Sequence, residues 1–304
     1  MMHYAVKKKR FAQINTERMW NSMPLTTTET MLNKARAGHY AVGAFNAENM
    51  EMVQAIVAAA EEADAPVIIQ TTPGTVRYAG LALYRANAAA AARSAKVPVA
   101  MHLDHGDSFD LAVQALREGY TSIMIDGSRH ALEENIAVTK SVADACLPNG
   151  VPVEGELGRV GGKEDDLESS GAGYTDPGEA VEFVERTRVS SLAVGVGTAH
   201  GVYKTTPVLN TKLIGVLRGK IGVPMVLHGA SGLSDDAVRE CVAQGMCKVN
   251  FATELRIAYT EAVRNYLAED PDAFDPKEYG AAAKEAVKHQ VLARIRILGS
   301  DGRA

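Results

Sequence analysis

The sequence predicts an α/β protein of the closed (β/α)8 class, and three observations carry that expectation. Eight short segments rich in β-branched residues recur along the chain, each is followed by a Gly- or Asp-rich turn and an Ala-rich helical stretch, and all eight fall between residues 40 and 254. An open doubly wound sheet generally has fewer strands and carries a dinucleotide fingerprint.

The segments are YAVGAFN from residue 40, PVIIQTT from 66, VPVAMHLDHG from 97, SIMIDGS from 122, VPVEGELG from 151, SLAVGVGTAHG from 191, VPMVLHGASG from 223 and CKVNFATE from 247. They read as continuously apolar rather than alternating, the pattern of parallel strands covered on both faces. After the first, AENMEMVQAIVAAAEEADA sets Met50, Val53, Ile56, Val57 and Ala60 on one helical face. After the seventh, SDDAVRECVAQG begins with Ser234 as N-cap and stops at Gly245. TTTETMLNKARAGH adds a helix before the first strand and AAAKEAVKHQVLARIRILGS one after the last. Residues 25–304 are therefore expected to form a single TIM-barrel domain with an extra N-terminal and an extra C-terminal helix. Residues 1–24 hold five Lys or Arg against one acid, and the only Trp, without the apolar stretch of a secretory signal. They are expected to be a flexible basic arm outside the fold.

With 46% hydrophobic and 23% charged residues the chain is ordinary for a soluble protein. Its net charge of −5 argues against nucleic acid as a partner, because such binders present a basic face. Three cysteines without C-x-x-C spacing give no disulfide framework, so a reducing cytoplasm is the expected compartment. No apolar run approaches the roughly 18 residues that span a membrane.

In a barrel, chemistry gathers where strands end. Strand three ends in His102, Asp104 and His105, strand five in Glu154 and Glu156, strand six in His200, strand seven in His228 and strand eight in Asn250. Closure would bring His105, His200 and His228 to one rim, three imidazoles with room for a fourth ligand, as in an open catalytic zinc site. Asp104 beside them is a candidate to take and return a proton; its alternative role is to orient a ligating imidazole. Alternation turns Asp104 and His105 apart, and a frayed strand end would let both reach the cavity. His102 lies deeper and reads as structural, and His39 and His130 as loop residues. Turns at GTAHG, HGASG and VNFATE suit a phosphate, with Ser231 and Thr253 adding hydroxyls. GVGTAHG is not G-x-G-x-x-G and gives no support to a nicotinamide cofactor. The acidic segment GRVGGKEDDLESSGAGY reads as mobile, either a lid carrying an acid or a solvated surface.

HLDHG, VEGELGRVGGKEDD, GTAHGVYK, LHGASG and KVNFATE, in this order, together resemble the class II, zinc-dependent ketose-bisphosphate aldolases over residues 25–299. The resemblance implies cleavage of a ketohexose 1,6-bisphosphate to dihydroxyacetone phosphate and glyceraldehyde 3-phosphate. It implies His105, His200 and His228 as zinc ligands, with Glu156 joining them in some states, Asp104 as the acid–base at the C4 hydroxyl and Glu164 as the acid at C3. It places Asn46, Gly201, Gly229, Ala230, Ser231, Asn250, Phe251, Ala252 and Thr253 around the substrate, with a monovalent cation near the phosphate. Ala252 stands where fructose-type enzymes usually carry an acid or amide, and Ala230 where they have a second Gly; both are similar to the tagatose-bisphosphate branch. Tagatose 1,6-bisphosphate is thus the favoured substrate and fructose 1,6-bisphosphate the next. A homodimer or homotetramer is implied. The alternatives are a zinc hydrolase on the same barrel and a non-catalytic barrel subunit partnering an aldolase.

Overall fold

The computed structural model describes residues 25–164, 167–169, 173–201, 203 and 207–304. The arm at 1–24 lies outside the described residues. Eight parallel strands close into a barrel: β1 (Val42–Asn46), β2 (Val67–Thr71), β3 (Val99–Gly106), β4 (Ser122–Ile125), β5 (Val153–Leu157), β8 (Ser191–Val194), β10 (Met225–Leu227) and β11 (Met246–Phe251). They coincide with the eight segments read from the sequence.

Their side chains sort by alternation, which the expectation of continuously apolar strands missed. Val99, Met101 and Leu103 of β3, Val153 and Leu157 of β5, and Val249 and Phe251 of β11 face outward into one apolar cluster with the helices. The intervening His102, Asp104, Glu154, Glu156, Lys248 and Asn250 are buried on the other face, inside the barrel. The strands read as apolar because every residue is buried; half of the barrel is polar within.

Helices α2 (Met50–Glu62), α4 (Leu81–Ser94), α5 (Phe109–Glu118), α6 (Leu132–Cys146), α7 (Pro177–Thr187), α8 (Thr211–Lys220), α9 (Asp235–Gln244) and α10 (Thr253–Glu269) follow the strands. Val53, Ile56, Val57 and Ala60 of α2 are buried as their spacing predicts, but Met50, in the first turn beyond the edge of the core, is 49% exposed. In α9 the Ser234 hydroxyl accepts the Ala237 N–H and Gly245 ends the helix, as expected. A seven-residue helix α3 (Pro73–Ala79), capped by Thr72, is an insertion the sequence pattern did not suggest. α1 (Thr28–Gly38) closes the N-terminal face, burying Met31, Leu32 and Ala35 against Val42, Ala44, Ile68 and Ala100. α11 (Pro276–Leu298) lies along α2 and α10, and its stripe of Val287, Val291, Ile295 and Leu298 is buried. Each such side chain contributes about 2 kcal/mol by burial.

Part of the segment after β5 pairs as short strands. β6 (Gly161–Glu164) pairs antiparallel with β7 (Leu167–Ser169) and parallel with β9 (Ala199–His200), making a small sheet beside the barrel mouth. Its residues 165–166 and 170–172 lie outside the described residues.

Candidate active site

β3 delivers two consecutive residues to the interior because it bulges rather than frays. Pairing with β4 shifts register between Leu103 and Gly106, and His105 adopts a left-handed φ of 49°. A non-glycine residue there costs about 1 kcal/mol, and the return is that Asp104 and His105 both face the cavity. His200 is not at the end of its barrel strand. β8 stops at Val194, and His200 rides on β9, held by β6 through Gly162, where any Cβ would fall 2.2 Å from the His200 carbonyl oxygen. His228 immediately follows β10.

The three rings converge. Their centroids are separated by 4.6 Å for His105 and His228, 5.0 Å for His105 and His200, and 5.9 Å for His200 and His228. One nitrogen from each lies within 4.8 Å of the others. The backs of two rings are committed to carboxylates. His105 Nδ1 is 3.0 Å from Asp126 Oδ2, and His228 Nε2 is 2.9 Å from Glu154 Oε1. With those protons donated, His105 Nε2 and His228 Nδ1 turn lone pairs toward each other across 2.8 Å. Two facing lone pairs repel, and a cation between them relieves the repulsion; the donor set of neutral imidazoles suits zinc. The residues present therefore fit the metal that the motifs imply.

Glu156 Oε2 lies 3.6 Å from His228 Nδ1 and 3.8 Å from His105 Nδ1, and it groups with His105 and Asp126 rather than with all three histidines. Burial raises the Asp126 carboxyl, but the hydrogen bonds it accepts from His105 and Ser128 outweigh this and hold the group below the usual carboxylate range. Burial likewise opposes ionisation of Glu154, and Lys248 together with His228 reverses it. Burial pushes His228 down, as does His105, so its ring is neutral near pH 7.

Asp104 does not orient a histidine, the alternative left open by the sequence. Its Oδ2 accepts from Gln70 Nε2 at 2.9 Å and Asn46 Nδ2 at 3.3 Å, and its Oδ1 from Asn250 Nδ2 at 3.0 Å. Three buried amides from β2, β1 and β11 fix it at the floor of the cavity.

Beside the histidines opens a small pocket, and eight of the nine residues expected around substrate line it: Asn46, Gly201, Gly229, Ala230, Ser231, Asn250, Ala252 and Thr253. Phe251 does not. Alternation along β11 turns it outward, where it stacks on Phe45 at 5.6 Å beneath Arg294. Gly229, at φ 65°, packs so closely on the β9 backbone that a Cβ would sit 2.6 Å from the Ala199 carbonyl oxygen. Tyr203 ties the same two loops: its hydroxyl accepts the Ala199 N–H at 2.8 Å and donates to the Gly229 carbonyl at 2.7 Å. Glu164 ends β6, opposite Leu167. His39 and His130 decorate loops as expected; His39 meets Arg218, and His130 pairs with Glu134.

Five contributors escaped the sequence reading: Gln70, Asp126, Tyr203, Lys248 and Arg256. Gln70 and Asp126 obey the same strand-end rule as the histidines and could have been found by it. Arg256 is one turn into α10, lines the pocket, and is held by Glu48, whose other oxygen accepts from Thr75 of α3. Nothing in its local sequence marks it.

Over residues 26–303 the sequence matches the family model described as fructose-bisphosphate aldolase class-II. The YdjI aldolase from Escherichia coli K12 is 38% identical, with 92% of this chain and 99% of that one covered at a TM-score of 0.81. A Coccidioides immitis protein assigned as a fructose-1,6-bisphosphate aldolase is 29% identical, covering 90% and 96% at a TM-score of 0.83. The fructose-bisphosphate aldolase of Campylobacter jejuni, 21% identical over 93% and 97% with a TM-score of 0.78, shares the fold. The chain thus belongs to the class II fructose-bisphosphate aldolase family and is a carbon–carbon lyase.

Proposed function

We propose that the protein reversibly cleaves a ketohexose 1,6-bisphosphate, tagatose 1,6-bisphosphate in preference to fructose 1,6-bisphosphate, at a zinc ion held by His105, His200 and His228. The observation that carries this reading is the pair of imidazole nitrogens facing each other across 2.8 Å beside an amide-caged Asp104. When bound, zinc supplies the positive charge that draws electrons toward the ketose carbonyl as the C3–C4 bond opens. Asp104 takes the proton of the C4 hydroxyl; its three amide partners hold it in line without competing as bases. Glu164 returns a proton to C3, and Glu156 joins the ligands in some states. The backbone turns at Gly201, at 229–231 and at 252–253 hold the phosphate of the dihydroxyacetone half, where a monovalent cation also sits, and Arg256 contributes positive charge at the pocket edge. Ala230 and Ala252, both lining the pocket, support the tagatose preference. The enzyme works as a homodimer or homotetramer in the cytoplasm, where its three free, buried thiols remain reduced.

Turnover of the two bisphosphates measured side by side, with coupled detection of triose phosphate and with or without chelator, tests the reading. Faster cleavage of the tagatose isomer, abolished by chelator, is expected. Faster fructose cleavage would reverse the preference, and chelator-resistant turnover would remove zinc from the mechanism.

A further inference from the structure

Five polar side chains beneath His228 form one buried column across the barrel. His228 Nε2 donates to Glu154 Oε1 at 2.9 Å, and Lys248 Nζ donates to Glu154 Oε2 at 2.9 Å. Lys248 Nζ also reaches His102 Nε2 at 3.4 Å. His102 Nδ1 is 2.7 Å from Ser122 Oγ, which accepts from Thr28 Oγ1 at 2.9 Å. All are buried, and they come from β3, β4, β5, β11 and the closing helix α1. Barrel interiors are ordinarily filled by branched apolar side chains, and a buried ion pair stabilises a fold poorly. Stability alone does not account for this column.

The direction of its hydrogen bonds has a chemical consequence. Lys248 can only donate, so His102 Nε2 accepts and the His102 proton sits on Nδ1. Glu154, anchored by Lys248, takes the proton of His228 Nε2, which places the lone pair of His228 on Nδ1, the nitrogen that faces His105. A carboxylate behind a ligating imidazole fixes its tautomer and raises its basicity.

We propose that Glu154 and Lys248 are positioning residues that set the metal affinity of the site through His228, with His102, Ser122 and Thr28 anchoring Lys248 from the closed end of the barrel. The proposal rests on the reading that the three histidines hold a divalent metal. It is tested by zinc affinity, measured by competition with a chromophoric chelator, and by the visible absorption of the cobalt-substituted protein, in Glu154→Gln and in the charge-balanced pair Glu154→Gln with Lys248→Met. Each variant is expected to bind zinc about 10- to 100-fold more weakly and to shift the cobalt bands while the far-UV circular dichroism is kept. The double variant removes the risk that a lone buried ammonium prevents folding. A third measurement needs no substitution: nitrogen-15 NMR of the metal-free protein is expected to place the His228 proton on Nε2. Unchanged affinity and cobalt bands in the variants, or a proton on Nδ1, would overturn the proposal. Failure of the underlying metal reading is distinguishable, because the unaltered protein would then bind no zinc and the proposal would fall with it.

Discussion

Asp104 shows how far a single carboxylate can be specified by its neighbours. It is buried, makes no hydrogen bond to an imidazole, and is gripped by Asn46, Gln70 and Asn250. On the proposed mechanism, replacing it with Ala removes an acid–base group but no metal ligand. Asp104→Ala is therefore expected to retain zinc by metal analysis while losing about 10²- to 10⁴-fold in turnover by triose phosphate detection; near-normal turnover would remove Asp104 from the chemistry. Gln70→Ala leaves one oxygen of Asp104 with a single partner, so a smaller loss in kcat at unchanged zinc content is expected. The histidines and Asp104 were legible because costly polar side chains interrupt apolar strands at one end. Phe251 was misplaced because a turn motif was taken as a block, whereas alternation sends neighbouring residues to opposite faces. Arg256 was illegible because an arginine one turn into an exposed helix looks like solvated surface until tertiary contacts place it.

At the scale of elements, the site depends on a small sheet that no periodicity in the sequence announced. β6 has four residues and opens with two glycines, β7 has three residues and β9 two, so none carries an apolar alternation of its own. They order one another through backbone pairing, and that pairing sets where His200 stands. Tyr203 adds a cross-link between the backbone next to His200 and the backbone next to His228. Tyr203→Phe keeps the ring and deletes both hydrogen bonds, leaving an N–H and a C=O to find other partners. A loss of stability of about 1–3 kcal/mol by denaturant titration is expected, with weaker zinc retention during dialysis against chelator. Wild-type zinc retention in a folded Tyr203→Phe protein would show that the hydroxyl does not position the ligands. The eight barrel strands and most helices, by contrast, were legible, since each follows from apolar segments, caps such as Ser234 and stops such as Gly245 that act locally.

For the whole molecule, the polar interior links stability to pH. Burial, with Lys248, drives the His102 pKa well below its ordinary value, and burial with His105 lowers that of His228. The unfolded chain takes up protons at these positions near pH 6.5, and the folded chain resists them, so the unfolded state binds more protons and folding loses stability as pH falls below about 6.5. Glu154 and Asp126, held below the ordinary range, extend the loss once unfolded carboxyls protonate near pH 4. The Tm of the metal-free protein is accordingly expected to fall between about pH 8 and about pH 5; a rise over that interval would contradict the assignment of neutral buried imidazoles. Zinc at about 1,000 times its Kd should add about 4 kcal/mol at neutral pH.

The expectations for activity and metal binding depend on three imidazoles from β3, β9 and the end of β10 acting on one ion. The most direct test strips the protein with chelator and restores zinc stepwise while recording both bound metal and triose phosphate release from tagatose 1,6-bisphosphate. Activity that is absent at the start, rises in proportion to bound zinc and levels off at one ion per chain is the predicted result, with neither binding nor activity recovered in His228→Ala. Full activity in the stripped protein, or an undiminished metal load in His228→Ala, would contradict it.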